Sequence, residues 1–279
     1  MPELPEVTVI SEDVAALAKG REVLGAAVFR PDITNVEPAG FTRRLVGKRL
    51  RGTGRRGKII VLDFGGVVGI VHLVISGRVL RLSSWKEPDR INTAVLEFGG
   101  EGEPLVLAFT RLWLGYFDLY ESGEENGHPL ISRLGPDPFS DEFTLEYLGN
   151  AFRRKASIKG LLLDQSVVAG LGNIYVDESL NLARLHPLRT AGSLSASQRR
   201  ALYDSIKAIL RTALKYKGTS DNTYVSIRGG KGDYLRHARV YHRTGEPCRK
   251  CGTLIQRLVV AGRGTHVCPH CQRPPRRAR

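Results

Sequence analysis

Hydrophobic and polar positions change their rhythm twice along the chain. In residues 5–20 (PEVTVISEDVAALAKG), Val7, Ile10, Val14, Leu17 and Ala18 recur at three- to four-residue intervals. That is the period of a helix with one apolar face, and Gly20 suits its C-terminal stop. Residues 22–121 read differently. EVLGAAVFR, LVGKRLRGTGR, GKIIVLDF, VVGIVHLVI, RVLRLS, NTAVLEF, LVLAF and GYFDLY are short runs rich in Val, Ile, Leu and Phe, separated by Gly-containing turns. Each predicts a strand, and so many at this spacing predict a sandwich or barrel. Residues 122–140 (SGEENGHPLISRLGPDPFS) are rich in Gly, Pro, Ser and acids and read as a linker. Helical periodicity then returns in DEFTLEYLGNAF, ASIKGLLLDQSVV, NIYVDESLNLARL and SASQRRALYDSIKAILRTALKYKG. The last of these has Ser195 or Ser197 as N-cap and Gly218 as its stop. Residues 218–240, polar and Gly-rich, predict a long loop of the kind that often binds.

The final segment carries Cys248-x2-Cys251 and, after sixteen intervening residues, Cys268-x2-Cys271. Paired CxxC at this spacing predicts one tetrahedral Zn²⁺ held by four thiolates, a closed structural site with no open position for catalysis. Between the pairs, TLIQRLVVAGRGTHV predicts strand, tight turn, strand, with Arg263 at the tip. A zinc-dependent hydrolase is disfavoured by this ligand set.

Charge narrows the partner. Lys and Arg number 42 against 28 Asp and Glu, a net charge of +14. Such an excess points to a polyanion, either nucleic acid or a membrane surface. No apolar run reaches the ~18 residues needed to span a bilayer, and the start lacks the basic and apolar regions of a signal peptide. The expected location is the cytosol or nucleoid, with the cysteines reduced.

The opening residues, MPELPE, hold the candidate chemistry. Once Met1 is removed, Pro2 presents a secondary amine. Terminal amines titrate at about 7.7–8.0, so a fraction is unprotonated and nucleophilic at neutral pH. A secondary amine attacking a sugar C1′ gives a cationic iminium, an electron sink. Glu3 and Glu6 lie within one helical turn of it. The same stretch also suits an ordinary helix start, since Pro and acids both favour the first turn. Elsewhere RRGK places Lys58 in a turn before an apolar strand, and AGLGN (Ala169 to Asn173) joins two predicted helices through a Gly-rich turn whose helix-start amides can meet a phosphate.

Taken together, MPELPEV, RRGKIIVLDF, DQSVVAGLGNIYVDESL with ARLHPLR, and VYHRTGEPCRKCGTLIQRLVVAGRGTHVCPHCQ resemble the formamidopyrimidine-DNA glycosylase/endonuclease VIII family almost end to end. VAGLGNIY and the CQ ending are more similar to its formamidopyrimidine branch. The resemblance implies an α+β multidomain chain: an N-terminal β-sandwich led by a catalytic helix (1–130), a helix–two-turn–helix domain (131–240) and a C-terminal zinc-finger hairpin (241–279). It implies base excision from double-stranded DNA containing damaged bases or abasic sites, followed by β,δ-elimination. Carried over by position, Pro2 is the Schiff-base nucleophile, Glu3 a proton donor that helps open the sugar, and Glu6 a support. Lys58 and Arg263 are proton donor or phosphate clamp. DNA contacts are expected from Asn173, His72, Arg111, Arg154 and Lys155. A monomer is the default expectation.

The chain departs from the family where the gap left by a flipped base is filled. A HLGMSG stretch becomes HLVISG, with Ile75 at the methionine position. A DPRRFG-like stretch becomes TRLWLGY, offering Arg111, Leu112, Trp113 and Leu114. Ile75, Trp113 and Leu114 are the wedge candidates. Asn92 stands where a histidine is usual, and the loop KGTSDNTYVSIRGGKGDYL is altered. These changes fall on lesion and opposite-base reading, so the chemistry is better specified than the substrate. The rival expectation is a non-catalytic protein that binds damaged DNA.

Overall fold

The computed structural model describes residues 1–84, 92–100, 103–220, 226–227 and 229–275, and the backbone alone of Asn92. Parts of the altered loop around residues 221–228, and the tail's last four residues, lie outside the described residues. The chain divides into two compact units: Met1–Ser132 with Lys217–Gly232, and Arg133–Tyr216 with Asp233–Arg279. No helix among the described residues is long and apolar enough to cross a membrane.

The first unit opens with α1 (Leu4–Ala18), whose residues Val7, Ile10, Val14 and Ala18 enter the core. Two four-stranded antiparallel sheets follow, the β-sandwich expected from the sequence. One pairs β1 (Val23–Val28), β6 (Asn92–Phe98), β7 (Leu105–Thr110) and β5 (Arg78–Leu82) in that order. The other pairs β2 (Gly52–Arg56), β3 (Ile59–Asp63), β4 (Val67–His72) and β8 (Tyr116–Glu121). Phe117 of β8 meets Phe109 of β7 edge-on at 4.8 Å between centroids, so the two sheets share one apolar layer. β7 is buried along its whole length because Val106 and Ala108, with Val95, form a second cluster on its other face.

Helix α2 (Pro38–Leu45) corrects the all-strand reading of residues 22–121. Phe41 and Leu45, one turn apart, are fully buried, and Pro38 sits in the first turn. The strand predicted from Leu45 therefore begins only at Gly52. Its sequence, GTGRR, is polar. Its inner edge is held by α1 through Ser11 Oγ to the Gly54 carbonyl (3.0 Å) and Thr53 Oγ1 to the Ser11 carbonyl (2.8 Å). The strand expected over VVGIVHLVI stops at His72.

The second unit contains α3 (Leu145–Ala151), α4 (Ile158–Leu163), α5 (Asn173–Leu182) and α6 (Ala196–Lys215). Thr144, Ser157 and Ser195 cap α3, α4 and α6 with side-chain oxygens, and Ser195 with Gln198 forms a capping box. The helix expected over 156–168 ends at Leu163. There Asp164 Oδ1 accepts from Ser166 N and Oγ, and the Gln165 amide bonds Leu163, Gly170 and Leu171 backbone groups. This competition from side chains turns the backbone out of the helix and builds the AGLGN connection. At the end of α6, Lys217 (φ 57°), not Gly218, takes the first left-handed position. The unit closes with β9 (Gln256–Val260) and β10 (Arg263–Val267), joined by Ala261 and Gly262, both at positive φ as a type I′ hairpin requires.

Candidate active site and nucleic-acid interface

Met1 is exposed, whereas Pro2, Glu3 and Glu6 behind it are buried. Glu6 is the knot at this point. Its Oε2 accepts from the Glu3 backbone N–H at 2.8 Å, completing a capping box at the head of α1. Its Oε1 accepts from Thr219 N–H at 2.7 Å. The same carboxylate thus fixes the residue next to Pro2 and anchors the 217–232 segment, which the sequence presented only as a long loop. Ile227 of that segment joins the sandwich core. Gly218 lies at φ 77°, and a Cβ there would come 2.6 Å from Glu6 Oε1, so only glycine fits the approach.

Lys58 is buried in the turn that opens β3. Arg55 shapes this turn by donating to the Gly57 carbonyl (3.0 Å) and to Thr8 Oγ1 of α1 (2.9 Å). His72, at the end of β4, pairs in register with Ile59, next to Lys58. Burial, with the Lys58 charge and then His128 adding to it, holds the His72 imidazole down to about 4. At neutral pH it is therefore an uncharged hydrogen-bonding group. Its ring lies 5.4 Å from that of Tyr116, which stacks on His128 at 5.0 Å.

Two loops beside this strand end carry the exposed apolar residues. Ser76 Oγ donates to the Arg111 carbonyl at 3.1 Å, and Leu112, fully buried, fills the space between them. A Cβ on Gly115 would come 2.2 Å from the His72 carbonyl oxygen. Ile75, Trp113 and Leu114 are left 55%, 48% and 71% exposed. Arg30, paired with Asp32, lies over the Trp113 ring at 5.4 Å. Val74 and Arg111 both take left-handed φ (50° and 55°), which is costly for a β-branched residue.

In the second unit the structure brings Asn173 and Arg263 together. Asn173 Nδ2 donates to the Gly264 carbonyl at 2.9 Å, beside the exposed Arg263. Beneath them lies Lys159, fully buried. Its Nζ donates to Asp177 Oδ1 (2.6 Å), Asn173 Oδ1 (2.7 Å) and Thr265 Oγ1 (2.8 Å). Asp177 Oδ2 in turn accepts from His266 N–H at 2.8 Å. The adjacent Glu178, also fully buried, accepts from Tyr234 Oη and from the backbone N–H groups of Arg239, Val240 and Tyr241. Burial pushes this carboxyl up and the four donors pull against it. Helix α5 is thereby fastened to the finger along its length. Arg154 and Lys155 lie exposed in the turn before α4, with Arg154 3.6 Å from Asp164.

The four cysteine sulfurs lie within 4.8 Å of one another. Cys251 Sγ is 3.5 Å from both Cys268 Sγ and Cys271 Sγ. Sulfurs at ~2.3 Å from a tetrahedral zinc stand roughly 3.8 Å apart, so the cluster fits one Zn²⁺. Burial pushes the Cys271 thiol up to about 12, with the neighbouring cysteines adding to it. Four thiolates therefore need a cation among them, and zinc would hold the two chain segments as one finger.

Profile comparisons match residues 1–112 to the formamidopyrimidine-DNA glycosylase N-terminal domain, 134–225 to the formamidopyrimidine-DNA glycosylase H2TH domain, and 245–274 to a zinc finger found in FPG and IleRS. The formamidopyrimidine-DNA glycosylase of Cytobacillus firmus is 40% identical over 276 residues, covering 98% of this chain and 100% of that protein. The chain belongs to the formamidopyrimidine-DNA glycosylase family. The Bacillus subtilis glycosylase is 37% identical over 275 residues, covering 98% and 99% of the two chains. Among solved structures, Lactococcus lactis Fpg in complex with DNA containing an abasic site matches with a TM-score of 0.90 at 32% identity, over 98% of this chain and all of that one. A Lactococcus lactis mutant bound to Fapy-dG DNA matches equally well.

Within a family fold, several of these contacts left little trace in the sequence. Lys159, Asp177 and Glu178 were missed. The available signal was a pair of acids within the otherwise apolar IYVDESL segment, which on a buried helix must find partners. Leu112, named beside the wedge candidates, belongs to the core instead. Asn92 has no described side chain.

Proposed function

We propose that the chain excises oxidised bases from duplex DNA and then cuts the strand at the resulting abasic site. With Met1 removed, the Pro2 nitrogen bonds to C1′ as the C1′–base bond breaks, and the base leaves with a proton. Glu3 protonates the sugar ring oxygen, the ring opens, and the iminium forms. The iminium acidifies C2′. Loss of a C2′ proton expels the 3′ phosphate, and a second elimination expels the 5′ phosphate. No metal is needed at the reacting carbon. Lys58 supplies a proton or clamps a phosphate, and Glu6 positions the head of α1. In the second unit Asn173 and Arg263 hold phosphates, with Arg154 and Lys155 adding charge. His72 is a neutral phosphate hydrogen-bond donor. Arg111 stands nearest to a reader of the opposite base. Ile75, Trp113 and Leu114 fill the gap that base extrusion leaves, since apolar side chains can take the place of a stacked base.

The observation that carries this reading is the intact MPELPE start in a chain aligned along its whole length with glycosylases. It also speaks against a protein that only marks damage. Relatives solved with Fapy-dG and abasic DNA favour opened purines and abasic sites as substrates. A cytoplasmic, nucleoid-associated monomer belongs to the same proposal.

The test is borohydride reduction in the presence of an abasic-site duplex. A covalent protein–DNA adduct is expected from the native chain, much less from Pro2→Gly, whose terminal amine is primary and lacks the proline ring, and none from a chain whose terminal amine is acetylated. An adduct of equal yield in Pro2→Gly refutes the proline mechanism.

A further inference from the structure

The end of α5 remote from Asn173 carries a second basic feature that the proposed reaction does not use. Arg184, Arg189, Lys250, His270 and Arg273 line a cavity of about 380 Å³ together with the zinc-ligand residues Cys251 and Cys271. No carboxylate among the described residues lines it. None of the five basic side chains is engaged in an ion pair among the described residues. Arg184, Arg189, Lys250 and Arg273 bring four positive charges. A zinc tetrathiolate carries two negative ones, so two positive charges remain uncompensated.

The walls are rigid. Gln272, fully buried, accepts from Asn181 Nδ2 (2.8 Å) and from Cys268 N–H (3.0 Å), and donates to the Leu185 carbonyl (2.9 Å). This ties the second cysteine knuckle to the turn that ends α5. Arg184 is held there at φ 56° by its N–H to the Asn181 carbonyl. The Arg189 carbonyl accepts from Ile158 N–H at 2.7 Å. The charges therefore stand on fixed backbone, so an incoming anion has side chains but no backbone to order.

The chemistry of the lining defines the ligand. Guanidinium forks match phosphate oxygens. Apart from His270 no ring is present to stack a base, and no acid is present to bind sugar hydroxyls. Helix α5, ten residues long, places this cavity about 15 Å from Asn173. We propose that it is a separate phosphate-binding site that takes two linked phosphate groups, either a free diphosphate or two successive phosphodiesters of a nucleic-acid strand. The proposal does not depend on the Pro2 chemistry.

The probe is inorganic pyrophosphate, followed by broadening of its ³¹P signal with the zinc-loaded full chain, while zinc content is measured in the same samples. Saturable broadening is expected. R189Q/K250Q/R273Q should bind about tenfold or more weakly, since charge-assisted contacts are lost. In parallel, the dependence of log Kd on log salt is measured with a duplex carrying an abasic-site analogue. If the variant's slope is shallower by about 0.9 per lost phosphate, a DNA strand is the occupant. Lost pyrophosphate binding with an unchanged slope assigns the site to a free diphosphate compound. Should the triple variant lose zinc, exposed Arg273→Gln alone decides, and a severalfold weakening is expected. Equal pyrophosphate binding by wild type and a zinc-retaining variant, or no binding by either with coincident salt slopes, overturns the proposal.

Discussion

Replacing Lys159 with methionine keeps the side chain's length and removes its charge. In the native chain Nζ lies 2.6 Å from Asp177 Oδ1, with both side chains fully buried. Methionine leaves that carboxylate in the interior with the His266 N–H as a remaining partner. Breaking one side of a buried pair costs about 3–5 kcal/mol, because an uncompensated charge stays behind. The bonds to Asn173 and Thr265 are lost with the same ammonium and are counted in that figure. We expect a loss of roughly 4 kcal/mol, a shift of about 8–16 °C for a chain of this size. Urea unfolding at constant m-value measures it. Asp177→Asn added to Lys159→Met removes the stranded charge while its amide oxygen can still accept from His266 N–H, so at least half of the loss should return. A single variant within about 1 kcal/mol of wild type, or a double variant no better than the single, refutes the reasoning. Because Asn173 and the Arg263 turn rest on this lysine, the salt slope of DNA binding should also become shallower.

Two further outcomes follow from the first unit. Gly218→Ala forces a Cβ to within 2.6 Å of Glu6 Oε1 at φ 77°. The left-handed backbone alone costs roughly 1–2 kcal/mol, and the displaced Glu6 frees the head of α1. Borohydride trapping should slow about tenfold or more with a modest stability loss; trapping at the wild-type rate would show that Glu6 does not position Pro2. His72 titrates near 4 in the folded chain and near 6.5 when unfolded. Its folded value is depressed, so above pH 6.5 it adds no pH dependence, and stability falls as pH drops from 6.5 towards 4, by about 3 kcal/mol at most. His72→Gln should flatten that part of the curve of melting temperature against pH, and an unchanged curve would contradict the burial of this imidazole.

Much of the architecture follows from local rules that need no partner. Seven of the eight strands of the sandwich, all but β2, were visible as short apolar runs, because a strand in a shared core must be apolar on at least one face. The start of α6 announced itself through Ser195, one of the two serines that suit its N-cap. The cysteine spacing specified a four-thiolate zinc site, since the knuckle geometry is set within a few residues. The proposed nucleophile was legible in MPELPE for the same reason: the amine and its acids lie within a few residues of one another.

Other decisions required the folded chain. GTGRR has no strand signature, and it becomes β2 only because α1 and β3 offer its backbone partners. Helix α2 was hidden by the surrounding strand-like sequence until Phe41 and Leu45 found the core. Leu112 and Trp113 are neighbours in sequence, yet one is core and the other exposed, because Arg111 turns the backbone between two packed loops. Lys159 in sequence is an ordinary helix cation; three side-chain partners drawn from α5 and β10, up to 106 residues away, make it a buried anchor. Glu6 reads as a helix-start acid, and its bond to Thr219 spans 213 residues. The sequence by itself carried what short-range motifs can carry: the proposed proline amine, the thiolate cluster and the capped start of α6. Tertiary structure alone decided which polar side chains are buried and what they hold, because burial of a charge depends on partners that only long-range packing brings within hydrogen-bonding distance.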